Sequence, residues 1–167
     1  MFNNQYQANR SMYHEYVTKI VLRGYLFRSY ILIAVAFVAC FLVYKTQPVL
    51  AAFEAIAGVI VIVSMFFMPE AMTRDILKKE LGGEEGLSLC TIVFEEDQIL
   101  LSLPKKQTSY AYELISDVYS LKTCYVFKLG KEHLFLVKKG CFVTGEESGF
   151  ESFILTKCPQ VTMIKKK

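Results

Sequence analysis

Two apolar runs, residues 30–44 and 49–68, are separated only by Lys45-Thr-Gln-Pro48. Extended back to residue 25, the first run holds about twenty residues, enough for roughly 30 Å of hydrocarbon at about 1.5 Å per residue. Four residues cannot host a domain. The runs therefore predict a tight antiparallel transmembrane hairpin within residues 29–69, with spans at about 25–44 and 49–68. Tyr25, Tyr30 and Tyr44 flank the first run, as interfacial aromatics do. Arg28 lies near its end, where the stem rests in lipid and the head reaches the interface. Pro48 suits the first turn of the second helix, and Pro69 is expected to limit its far end. A cleavable signal peptide does not fit, because the apolar run starts near residue 30 and a second full span follows at once. Phe37-Val-Ala-Cys40 is a poor lipoprotein box, with Phe37 wrong for it and the cysteine in mid-span.

The basic residues near the span ends predict orientation. Lys19, Arg23 and Arg28 precede the first span, and Arg74, Lys78 and Lys79 follow the second, while the loop holds Lys45 alone. This predicts a multi-pass protein of the cell membrane with both termini in the cytoplasm. Glu54 reads as a carboxyl near the outer interface, since two helices enclose no ion path. Ala51, Ala55 and Gly58 place small residues on one helix face, for close packing inside the hairpin or for a homodimer contact.

Charge narrows the function classes. Residues 1–69 carry five basic and two acidic residues, whereas residues 70–167 carry fourteen of each sign. The polar part therefore lacks the clustered positive charge of a nucleic-acid footprint. Five cysteines, an odd number with no C-x-x-C pair, argue against a disulfide framework or a zinc site.

Residues 1–9 are Asn- and Gln-rich and are expected to be frayed. Within residues 1–28, the stretch 10–28 repeats Tyr13, Tyr16, Val17, Ile20 and Val21 at helical steps, predicting an amphipathic helix that lies on the inner leaflet or packs on the soluble domain. Residues 70–83 read as a polar connecting helix ended by Gly82-Gly83. Short strands follow in residues 84–167. Hairpins are expected at 89–94 with 99–103 and at 125–129 with 133–137. Residues 109–112 form a short polar, aromatic piece, and 112–119 mix turn and strand character. Residues 146–158, with Phe150, Phe153 and Ile154 at helical spacing, predict a closing amphipathic helix capped by Thr144 or Gly145. The fold class is α+β: a membrane hairpin, then an antiparallel sheet or partial barrel with a C-terminal helix.

Several stretches of this domain are similar to the YcxB-like proteins of Gram-positive bacteria. They are Thr91-Ile-Val-Phe-Glu-Glu-Asp-Gln-Ile99, Tyr110-Ala-Tyr-Glu-Leu-Ile-Ser-Asp-Val-Tyr119, Tyr125-Val-Phe127, and Val137-Lys-Lys-Gly-Cys-Phe-Val-Thr-Gly145 leading to Phe150 and Phe153. The resemblance covers residues 90–158 best, and the two upstream spans match the family's layout. It implies a pleckstrin-homology-like (PH-like) domain on a membrane anchor and carries over no functional residues.

No catalytic, cofactor or metal constellation is legible. His14 and His133 lack a neighbouring carboxylate, serine or cysteine at catalytic spacing. Gly145-Glu-Glu-Ser-Gly149 is one residue off a nucleophile elbow and starts a helix instead. Glu95, Glu96 and Asp97 read as a solvated turn. Lys105-Lys106, Lys138-Lys139 and Lys165-Lys166-Lys167 are either headgroup or partner contacts at the inner leaflet or solvated faces. The favoured expectation is a non-enzymatic, membrane-tethered module docking a protein or peptide. An immunity-type protein neutralising a co-produced toxin and an anionic-lipid-sensing module are the alternatives.

Overall fold

The computed structural model describes residues 1–81, 89–103, 106–130 and 133–165. The chain divides into two compact units, residues 1–16 with 75–167 and residues 17–74. The first thing it does is unexpected from its composition. Phe2–Gln7 is not frayed but forms a strand, β1. Its polar residues are poor strand formers by propensity, yet Asn4 and Tyr6 alternate inward and are buried. Tertiary pairing decides the outcome here.

Helix α1 (Arg10–Tyr16) follows in the same unit, with Met12, Tyr13 and Tyr16 buried. The Asn9 side chain accepts from the Met12 N–H at 3.0 Å, which caps the first turn. The predicted continuous helix over 10–28 is interrupted. Residues Val17–Val21 form a wide helical turn in which the Leu22 N–H reaches the Val17 carbonyl at 2.8 Å.

The hairpin helices are α2 (Arg23–Val43), in the second unit, and α3 (Pro48–Leu81), which belongs to that unit up to Arg74. Both are long and apolar enough to cross a membrane, and only 6% of either apolar stretch is buried. Such exposure in water would leave Phe37, Phe41, Phe66 and Phe67 largely hydrated. The connecting turn is tight, with Thr46 and Gln47 N–H groups bonded to the Val43 carbonyl. Small residues let the helices approach: the Gly58 face meets the Ala36 Cβ, and the Cys40 thiol reaches the Ala51 carbonyl. Tyr25 and Ser64 share a 2.7 Å hydrogen bond across the pair.

Pro69 does not end α3. The helix runs through it as one 34-residue rod, so the separate connecting helix over 70–83 is a continuation of the second span. The proline removes one backbone bond, and the Thr73 hydroxyl adds one to the Pro69 carbonyl at 2.7 Å. At about 1.5 Å per residue the rod is about 51 Å long, which exceeds a hydrocarbon core of roughly 30 Å. The expected stop at Gly82-Gly83 lies outside the described residues.

The β domain contains two sheets. The first has the order β4-β3-β2-β1-β8, from β2 (Leu89–Phe94), β3 (Gln98–Leu103), β4 (Lys106–Ala111) and β8 (Phe142–Thr144). The second has the order β7-β6-β5-β9, from β5 (Ile115–Ser120), β6 (Cys124–Leu129), β7 (His133–Lys138) and β9 (Met163–Lys165). Residues Tyr112–Leu114 make a 3₁₀ turn between β4 and β5. Among the described residues all pairings are antiparallel except β5 with β9, and neither sheet closes into a barrel. Both expected hairpins form, β2 with β3 and β6 with β7.

Strand β1 pairs with β2 from Phe2 opposite Phe94 to Gln7 opposite Leu89, and with β8 on its other side. The hairpin is thus spliced into the connection between two neighbouring strands. Helix α4 (Glu147–Lys157) covers the core with Phe150 and Ile154. Phe150 is fully buried and packs against Phe142 at 4.7 Å, Phe94 at 5.0 Å, Tyr125 at 5.2 Å and Phe2 at 5.4 Å between ring centroids. Its N-cap is Glu146, with no side-chain cap bond, rather than Thr144 or Gly145.

Gly145 is required where it stands. Its φ is +84°, and a Cβ there would overlap the Phe2 ring. Gly130 also has positive φ, +61°, but open space beside it. Gly145→Ala is therefore expected to destabilise the β domain by about 2–3 kcal/mol and Gly130→Ala by about 1 kcal/mol. Denaturant titration of both variants measures the difference, and equal losses would contradict the Phe2 contact.

Candidate functional site

Among the described residues, four strands sit at sheet edges: β4, β8, β7 and β9. Two of them, β8 and β9, are three residues long. The edge of β7 is taken up by β1 side chains. The Tyr6 hydroxyl donates to the Leu136 carbonyl at 2.6 Å, and the Asn4 amide donates to the Lys138 carbonyl at 2.8 Å. That leaves β4, six residues long, paired with β3 along its whole length on one side and, among the described residues, with no strand on the other. Its sequence, Lys-Gln-Thr-Ser-Tyr-Ala, has no proline to block further pairing. Gln107 and Ser109 are exposed, and the Tyr110 ring stacks on Phe135 at 6.2 Å. An unpaired strand of this length presents backbone donors and acceptors to an extended peptide.

A second polar feature joins α1, the β5–β6 turn and α4. The Glu15 carboxylate accepts from the Lys122 N–H at 2.8 Å, the Thr123 N–H at 2.9 Å and the Thr123 hydroxyl. Burial alone would raise its pKa. The hydrogen bonds from Thr123 and Lys122 and the charge of Lys139 outweigh that and hold it below the usual glutamate value. On the other side, Lys165 bonds Glu151 at 3.0 Å and holds that carboxyl low against its partial burial, helped by Ser120 and Lys139.

Lys139 lies between the two. Its ammonium donates to the Leu121 carbonyl at 2.6 Å and the Ser120 hydroxyl at 2.9 Å, and sits 4.4 Å from the centre of the Tyr125 ring. The expectation that Lys139 reaches headgroups or a partner is therefore corrected: its charge is committed inside the domain. Lys138 is half-buried on β7. Lys105 lies outside the described residues, and Lys106 opens β4. The topology residues Lys19, Arg23, Arg28, Arg74, Lys78 and Lys79 are all exposed. Of the three small residues, Ala51 is buried and Gly58 packs in the hairpin, while Ala55 is exposed.

Sequence reading missed Glu15, Ser120, Thr123 and Glu151. Ser120 and Glu151 are 31 residues apart, and Glu15 is over a hundred residues from its turn. No local spacing announces such contacts.

Burial pushes the Cys124 thiol up to about 12 and the Cys158 thiol up to about 11, which keeps both protonated at neutral pH. Among the described residues no group of three His, Cys, Asp or Glu side chains is placed to hold a metal ion. Comparison with protein-family models, curated proteins and solved structures gave no match.

The Glu15 clamp has a pH signature. Because its folded-state pKa is depressed, its contribution is present above the unfolded carboxyl value and is lost as pH falls through the lower folded value. Glu15→Gln should speed amide exchange at Lys122 and Thr123 about fivefold near neutral pH, equivalent to about 1 kcal/mol for a partly exposed charged acceptor. The difference from the native chain should shrink in acid. A gap that persists unchanged below the folded-state pKa would rule out the carboxylate as its source.

Proposed function

We propose that this chain is a membrane-anchored, non-enzymatic interaction module whose β domain docks an extended protein segment at the inner leaflet. The observation that carries the reading is the six-residue edge of β4, which among the described residues pairs with β3 alone, beside three edges that are short or capped. Strand addition supplies main-chain hydrogen bonds for affinity, and exposed side chains such as Gln107 and Ser109 supply selectivity.

The anchor is supported by α2 and α3, of whose long apolar stretches only 6% is buried among the described residues. Pairing of β1 with β2 places the segments before and after the hairpin in one sheet. Both therefore lie on one side of the bilayer when both helices span it. The excess of exposed basic residues at those two ends, against Lys45 alone in the loop, favours the cytoplasmic side. The succession of strands closed by α4 is in keeping with the PH-like domain that the YcxB-like resemblance implies.

A photocrosslinking residue placed at Gln107 or Ser109 in the full-length chain in cells should give a discrete adduct of one mass. The same residue at Ser152, exposed on α4, should give none. Adducts from all three positions alike, or none from β4, would sink the reading.

A further inference from the structure

A groove of about 580 Å³ opens where the wide turn meets α2, lined by Thr18, Arg23, Gly24, Leu26, Phe27 and Tyr30. Arg23, Phe27 and Tyr30 recur at steps of four and three residues, so they share one helix face. Phe27 and Tyr30 are 67% and 65% exposed. Arg23 is exposed, and among the described residues it has no ion pair. No Asp or Glu occurs between Glu15 and Glu54, and none lines the groove, whose one charged lining residue is Arg23.

Gly24 supplies an independent sign that the space is kept open. Glycine in a helix costs about 1 kcal/mol relative to alanine. Here it meets no steric need, because its backbone is not in the positive-φ region and a Cβ would find nothing within 4 Å. What its missing side chain leaves open is the groove.

We propose that this groove binds an anionic phospholipid, with the headgroup phosphate on the Arg23 guanidinium and the glycerol and upper acyl chain along Leu26, Phe27 and Tyr30. A planar guanidinium matches phosphate oxygens in pairs. Aromatic side chains suit the headgroup level of a bilayer. The position of the groove at the start of an exposed apolar helix makes lipid the molecule that surrounds it. The inference rests on the reading that α2 enters the bilayer.

Arg28 provides a matched control. It lies five residues from Arg23, roughly 140° around the helix, and does not line the groove. Native mass spectrometry of the full-length chain in detergent, titrated with phosphatidylglycerol and chain-matched phosphatidylcholine, reads the preference directly. The native chain should retain phosphatidylglycerol selectively. Arg23→Gln should lower that preference about fivefold, the value of one basic residue at an anionic surface. Arg28→Gln should leave it within about twofold of the native value, since the removed charge lies outside the groove. Gly24→Leu should abolish it with all charges intact and the helix content undiminished, since leucine is the better helix former.

Equal losses in Arg23→Gln and Arg28→Gln would reduce the effect to diffuse surface charge and overturn the site. So would displacement of the lipid by equimolar glycerol 3-phosphate, which would mark a soluble phosphate site. Carbonate extraction separates the two levels of failure. A chain stripped from membranes refutes the anchor itself, whereas an embedded chain whose Arg23→Gln and Gly24→Leu variants bind like the native one refutes only the groove.

Discussion

The pairing of β1 between β2 and β8 is the constraint on which the rest of the β domain depends. It fills the place between two strands, and its Tyr6 and Asn4 side chains tie the first sheet to the carbonyl edge of β7 in the second. Phe2 then reaches the Phe150 cluster beneath α4. Without β1, β2 and β8 would face an empty slot, and the buried aromatic core would lose one wall. The domain is therefore discontinuous in sequence: its first strand and first helix precede the hairpin, and everything else follows it. Closing so long a connection costs entropy that grows only slowly with length, and a helical hairpin that returns the chain to its starting side removes most of that cost.

Electrostatics holds the same seam. Glu15 stands at the end of α1, immediately before the chain passes into the wide turn and α2, and its carboxylate bonds the β5–β6 turn. Lys139, on the segment after β7, faces the same turn from within the domain and joins it to the Glu151–Lys165 pair. The residues that precede the hairpin are thus bound to the β domain twice, by strand pairing and by a charge-assisted clamp. Among the described residues β4 is then the long edge without a second strand, which is why the proposed docking falls there rather than on β7.

The features legible in the sequence are those with a local period. The two apolar runs, the β2–β3 and β6–β7 hairpins and the amphipathic α4 follow from spacing and turn residues. The missed features are non-local. The composition of β1 argues against a strand, and only its partners make it one. β8 and β9 are three residues each, too short to signal themselves. The continuation of α3 through Pro69 shows propensity overridden in a helix with many remaining bonds. Lys139 illustrates the same limit for sites. A Lys-Lys pair reads as surface charge, and only the fold reveals that one of the two lysines turns inward.

The most direct test of this account is to remove the hairpin and keep the strand. A chain joining residues 1–16 to residues 75–167 through a flexible glycine-serine linker should be soluble, unfold cooperatively and give a dispersed amide spectrum, while residues 75–167 alone should do none of these. If residues 75–167 alone fold cooperatively and as stably as the linked chain, β1 is dispensable and the spliced-domain account is wrong.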